Sequence, residues 1–264
     1  MSAARIVRLG IRVHADRAET ALADLLPLLG NGAEERHLGG SVEYAVYLPE
    51  GELPPPEAIR GLAGDAVMGT ITEPVTEEWE RRYLRHLRRI ELGRISIRPP
   101  WLDGEPDDLV IDPGTTFGAG THESTRLALE LLLDLEPAGA LTDWGSGSGV
   151  LAIAAARLGF DPVEAVELEP HALAVIGANA AANGVTIAAR TADLLQDAPV
   201  SRTVTANLTP VLHRTIGPRL TEKPHRLIAS GVLRRYADEL AEVYAMAELA
   251  RHTEGAWAAV VLGP

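Results

Sequence analysis

Three glycines at alternate positions, Gly145, Gly147 and Gly149, punctuate the run Leu141-Thr-Asp-Trp-Gly-Ser-Gly-Ser-Gly-Val-Leu151, between a strand-like stretch and a helix-like one. Glycine lets a backbone turn sharply and approach a ligand, and the start of the following helix presents unpaired N–H groups to a carboxylate or phosphate. Dinucleotide-binding loops space their glycines G-x-G-x-x-G, and here the third comes one position early. That spacing favours S-adenosylmethionine, which has a carboxylate to seat and no pyrophosphate, over a nicotinamide cofactor.

Glu167 follows Gly145 by 22 residues, at the end of the next predicted strand. An acidic side chain there accepts hydrogen bonds from both ribose hydroxyls of a nucleoside, of either cofactor. Asp193, after the third strand, is placed to meet an adenine amino group. Upstream, Asp112-Pro-Gly-Thr-Thr-Phe-Gly-Ala-Gly-Thr-His-Glu-Ser-Thr125 is a glycine-rich loop before a predicted helix; its hydroxyls and Phe117 suit a segment folding over a ligand, or an N-cap by Thr121 or Ser124. His122 has no partners at metal-ligand spacing, so no metal site is expected. Asn207, in Ala206-Asn-Leu-Thr-Pro210, ends the fourth predicted strand, at the sheet edge where open α/β sheets bind ligands. It can accept a hydrogen bond from an amine N–H; as a lone feature it would be a helix cap.

These residues need a sheet whose strand ends converge. Apolar periodicity places strands near 141–144, 163–168, 186–191, 202–207 and 225–230, helices near 149–158, 170–182, 209–220 and 234–244, and a short final pair of strands at 245–252 and 256–262. The first 72 residues read as strand, helix, a hairpin about Gly39-Gly40, a short helix after Pro54 and a last strand, the βαββαβ order of a ferredoxin-like module. Between them, residues 73–89 predict a linker helix, acidic in its first turn and basic in its last, with an apolar stripe of Trp79, Tyr83, Leu84 and Leu87. The expected division is 1–72, 73–89 and 90–264.

Composition bounds the chemistry. With no cysteine among 264 residues, disulfide scaffolds, thiol catalysis and cysteine-ligated zinc are excluded. Residues 101–264 hold 11 basic against 22 acidic side chains, which disfavours a nucleic-acid partner and suits a basic one. No apolar run approaches the roughly 20 residues of a membrane span, so a soluble, cytoplasmic protein is expected; a monomer is the separate expectation. Lys223 is the one lysine.

Taken together, Trp79, IRPPW at 97–101, the DPGTTFGAGTHEST loop, DWGSGSGVLAIAAARLG, VELEPHAL, NAAANGV, ANL at 206–208 and SGVL at 230–233 resemble, in collinear order, the ribosomal protein L11 methyltransferase family. The resemblance implies a class I methyltransferase (Rossmann-like) α/β sheet with helices on both faces, behind a small α+β ferredoxin-like domain that recognises the ribosomal protein. It implies S-adenosylmethionine-dependent methylation of lysine side chains and of the N-terminal amine. Carried over by position, Thr125, Gly145, Glu167 and Asn207 contact the cofactor, with Asn207 also at the acceptor amine, while Phe117 and Thr121 shape the loop over it. Gly147 and Asp193 complete the expected set. The family usually has Cys at Ser146, Asp at Glu167, Thr at Ala119, Pro at Glu123 and Ile at Leu208. Alternatives are a related methyltransferase for another protein or small amine, a non-catalytic cofactor-binding assembly factor, and a nicotinamide oxidoreductase.

Overall fold

The computed structural model describes residues 6–29, 34–74, 87–114, 118 and 120–264. The chain divides into two compact units, Met1–His86 and Leu87–Pro264.

The N-terminal unit runs β1 (Ile6–His14), α1 (Ala18–Leu29), β2 (Glu34–His37), β3 (Ser41–Pro49), α2 (Pro56–Ala63) and β4 (Val67–Pro74). The sheet order is β2-β3-β1-β4 with every neighbour antiparallel, the split βαβ arrangement expected from the element order. Alternation decides its core. Val7, Leu9, Ile11 and Val13 on β1 lie opposite Leu48, Val46, Tyr44 and Val42 on β3, forming an apolar face with Leu22 and Leu25 of α1 and Ile59 of α2. The other face carries Arg8 and Glu43, whose buried side chains pair at 2.6 Å.

The predicted linker helix lies almost wholly outside the described residues, Trp79, Tyr83 and Leu84 included. Leu87 to Arg89, its expected last turn, are not helical.

The second unit opens on a three-stranded sheet that sequence periodicity missed: β5 (Ile90–Leu92), β6 (Ile95–Arg98) and β7 (Leu109–Val110), in that order. Strands of two to four residues are too short to display an alternation. Then come α3 (Glu123–Leu133), β8 (Leu141–Trp144), α4 (Val150–Leu158), β9 (Val163–Glu167), α5 (Ala172–Ala182), β10 (Ala188–Thr191), β11 (Thr203–Asn207), α6 (Pro210–Ile216), β12 (Arg226–Leu233), α7 (Arg234–Tyr244), β13 (Ala247–Glu254) and β14 (Trp257–Gly263). The helix expected over 209–220 stops at Ile216, because Pro218 cannot continue it, and a single 3-10 turn follows.

These strands form a seven-stranded sheet, β10-β9-β8-β11-β12-β14-β13, parallel except for β14 and its two pairings. Both faces are covered. Ile228, Ala259 and Val261 face α3, α4 and α5, while Leu227, Ala229, Val260 and Leu262 face α6 and α7, the period-two split of strands buried on both sides. The strand order reverses between β8 and β11, and this switch point opens a crevice at the carboxyl ends of the strands. Among the described residues no helix is long and apolar enough to cross a membrane.

Candidate functional site

β8 ends at Trp144 and α4 begins at Val150, so the glycine loop fills the switch point. Gly145 has φ 67°, a left-handed conformation that side-chain-bearing residues avoid, and a Cβ there would stand 2.7 Å from Leu208 Cδ2. The loop therefore lies directly against the end of β11. Gly149, at φ 83°, is the N-cap of α4 and leaves the helix's first N–H groups to be satisfied by something other than a side-chain cap.

Glu167 closes the loop from the neighbouring strand. Its Oε2 accepts from the Gly147 N–H at 2.8 Å and its Oε1 from the Leu168 N–H at 2.8 Å. An ionised carboxylate has about four acceptor sites, so it retains capacity for hydroxyl donors. The Ala192 N–H donates to the Glu167 carbonyl at 2.9 Å, which brings Asp193 beside the same strand end. Asp193 accepts from the Leu195 N–H and the Gln196 side-chain amide, each at 2.9 Å, so its carboxylate also braces its own turn.

Under the loop lies a residue that the sequence reading passed over. Asp143 is buried; Oδ2 accepts from the Ser146 hydroxyl and Oδ1 from the Thr205 hydroxyl, both at 2.6 Å. Burial pushes its pKa up to about 6, against the opposing effect of those two hydroxyls and of the Ala152 N–H, and nearby Glu167 adds to the rise. Asp143 thus ties the glycine loop to β11 from below. The usable signal was an acid inside an otherwise apolar strand immediately before the loop.

On the far side, Asn207 Nδ2 donates to Thr125 Oγ1 at 3.2 Å, joining the end of β11 to the first turn of α3 across 82 residues of chain. Thr125 is buried and Asn207 half-buried. Thr121 is exposed, and Phe117 lies outside the described residues. The cap of α3 is neither Thr121 nor Ser124: His122 takes the position, its Nδ1 accepting from the Ser124 N–H at 3.2 Å, while its ring meets Trp257 edge-on. Burial lowers its pKa, which favours the neutral ring whose Nδ1 can accept. No cluster able to hold a metal occurs among the described residues.

The start of the 112–125 loop is pinned by Asn179 of α5 and Asn183 at that helix's C-cap, to which the sequence assigned no role. Asn179 Oδ1 accepts from the Asp112 N–H at 2.9 Å, and its Nδ2 donates to the Asp112 and Ser148 carbonyls at 2.8 and 2.9 Å. Asn183 bonds both the N–H and the carbonyl of Val110, at 2.9 and 2.7 Å. Farther along, the Ser148 hydroxyl donates to the Gly118 carbonyl at 2.6 Å. Two loops distant in sequence are thereby held as one wall.

The set can hold an anionic group at the start of α4, hydroxyls at Glu167, and an amine at Asn207. Of the expected residues, Gly145, Gly147 and Glu167 form one contiguous cluster with Asp193 beside it, and Thr125 and Asn207 a second, joined to the first by the contact of Gly145 with Leu208. Two concavities of about 350 Å³ each lie elsewhere, one bounded by Leu195, Ile216 and Leu220, the other by Arg17, Asp24 and Ala63.

Comparison with known proteins places this geometry in context. The family described as Ribosomal protein L11 methyltransferase (PrmA) matches residues 59–262. Proteins named ribosomal protein L11 methyltransferase are similar: that of Geobacter metallireducens is 45% identical over 130 residues, 47% of this chain and 44% of that protein. That of Laribacter hongkongensis is 36% identical over 70% of this chain and 67% of that protein, and that of Actinobacillus succinogenes 32% identical over 87% and 81%. The match to the Geobacter protein thus spans less than half of that relative's length. A solved structure described as ribosomal protein L11 methylase from Lactobacillus delbrueckii subsp. bulgaricus superposes with a TM-score of 0.59 at 27% identity, over 66% of this chain and 96% of that one.

Proposed function

Because the chain belongs to the ribosomal protein L11 methyltransferase family, we propose that it methylates amines of ribosomal protein L11, on lysine side chains and at the N-terminus, with S-adenosylmethionine as donor. The observation that carries the reading is the Asn207–Thr125 bond at the carboxyl end of β11, beside the glycine loop. When bound, S-adenosylmethionine supplies a methyl group on a positively charged sulfur, moved to the acceptor nitrogen by direct displacement.

The residues present fit that donor. The loop from Gly145 to Gly149 and the start of α4 suit its carboxylate, Glu167 its ribose hydroxyls, and Asp193 its adenine amino group. Thr125, Thr121 and Phe117 belong to the segment assigned to cover it.

The chemistry asks little of a strong base. A lysine amine, with a reference pKa of about 10.4, is almost wholly protonated at neutral pH, and taking it out of water favours the neutral form. An α-amine, at about 7.7 to 8.0, loses its proton more readily. Asn207 supplies alignment: with Nδ2 committed to Thr125, its Oδ1 is the atom left to accept from an amine N–H, aiming the nitrogen lone pair. We assign the N-terminal unit to recognition of the ribosomal protein, a role that the acidic second unit complements for a basic substrate acting with a monomeric, soluble, cytoplasmic enzyme.

Calorimetry with S-adenosylmethionine and with NAD tests the cofactor assignment. Binding of the methyl donor alone is expected; tight NAD binding without it would overturn the reading.

A further inference from the structure

Behind Asn207 stands a buried histidine that the mechanism above does not use. His213, on α6, has no exposed surface. Its Nε2 lies 2.8 Å from the Ser230 carbonyl oxygen and its Nδ1 2.8 Å from the Tyr244 hydroxyl. A carbonyl only accepts, so Nε2 carries the proton and Nδ1 takes the hydrogen of Tyr244. Burial holds the ring's pKa down at about 4, so the imidazole is neutral near pH 7.

Ser230 is the point at which both halves of the amine site are anchored. It is the register partner of Asn207 on the adjacent strand β12. Its carbonyl, besides accepting from His213, accepts from the N–H of Leu208 at 3.0 Å, the residue following Asn207. Its hydroxyl donates to the Ser124 carbonyl at 2.6 Å, the residue preceding Thr125. One serine therefore sets the backbone next to Asn207 and the backbone next to Thr125, the two residues whose side chains bond at 3.2 Å. His213 fixes that serine's carbonyl, and Tyr244, on α7, fixes the ring.

We propose that His213 is a positioning residue for methyl transfer: through Ser230 it sets the separation and orientation of Asn207 and Thr125, and so the aim of the Asn207 carbonyl at the acceptor amine. The proposal rests on the assignment of Asn207 to the amine. A displacement of about 1 Å in such a group is worth about 100-fold in rate, although His213 touches neither substrate nor donor.

His213→Gln keeps an N–H donor within reach of the Ser230 carbonyl, whereas His213→Leu fills the space without one. Steady-state methylation should show kcat reduced about 10- to 100-fold in His213→Leu, with the Kd for S-adenosylmethionine within about threefold of the parent, and largely restored in His213→Gln. In a double-mutant cycle, His213→Leu added to Asn207→Ala should slow the reaction by less than twofold, because the group it aims is already gone. A normal kcat in His213→Leu, a Gln variant no better than Leu, or full additivity with Asn207→Ala overturns the proposal. Should His213→Leu fail to fold, Ser230→Ala breaks the hydroxyl link to Ser124 and is expected to lower kcat about tenfold at unchanged donor affinity; an unchanged kcat there overturns it equally. If Asn207→Ala itself turns over normally, the underlying assignment of Asn207 fails, whatever His213 does.

Discussion

The Gly147 N–H donates to Glu167 Oε2 at 2.8 Å, so the acid at the end of β9 holds the glycine loop. Removing the side chain forfeits a charge-assisted hydrogen bond, worth about 1.5–3 kcal/mol, along with the proposed ribose contacts. Glu167→Ala should weaken S-adenosylmethionine about 10- to 100-fold by calorimetry while saturating donor restores most of kcat. An unchanged Kd would show that the carboxylate serves the loop alone.

Asp143 and His213 pull stability in opposite directions with pH. Asp143 has a folded pKa of about 6 against an ordinary 3.8, so its contribution is fully present below about pH 3.8 and lost as pH rises through 6. His213 has a folded pKa of about 4 against 6.5, so its contribution is present above about 6.5 and lost as pH falls through 4. Each is worth up to about 3 kcal/mol, in nearly the same window, and the two offset one another. Urea denaturation between pH 4 and 7 should therefore find Asp143→Asn losing stability on acidification more steeply than the parent, and His213→Gln less steeply. Identical pH slopes in all three proteins would contradict the burial argument for both groups.

Thr205 isolates the support under the loop. Thr205→Val keeps the shape of the side chain and removes the hydroxyl that donates to Asp143 Oδ1 at 2.6 Å. The loss should be about 1–3 kcal/mol of stability, read as a lower midpoint in thermal denaturation at pH 7, and smaller at pH 5, where Asp143 is largely protonated. Equal losses at both values would mean that the carboxylate does not change its protonation state between them.

Much of this was legible in the residues. The strands and helices of the large sheet emerge from apolar spacing because both faces are buried, giving continuous runs such as Ala258 to Leu262. Gly145, Gly147 and Glu167 stand out because the glycine spacing and an acid at the end of the next strand occur together. The order β10-β9-β8-β11-β12-β14-β13 is a tertiary choice with no local signature. Asn179, within α5, and Asn183, at its C-cap, show no role in the sequence until the backbone of 110–112 is seen against them. His213 and Ser230 are ordinary in sequence, since their meaning lies in what they bond 17 and 106 residues away.

Asn179 shows how such a residue can be tested. It serves the Asp112 N–H, the Asp112 carbonyl and the Ser148 carbonyl at once, so Asn179→Ala leaves polar groups on two loops without their side-chain partner. The cost should be about 2–3 kcal/mol, with faster amide hydrogen exchange at Asp112. Unchanged protection at that amide would show the loop to be held by other contacts.

The reaction itself is tested most directly by incubating the protein with ribosomes lacking this modification and S-adenosylmethionine labelled in the methyl group, then locating the label by mass spectrometry. Label on lysine side chains and the N-terminal amine of ribosomal protein L11, reduced about 100-fold by Asn207→Ala, is the expected result. Label on a different protein, or none on any ribosomal protein while the donor binds normally, would contradict it.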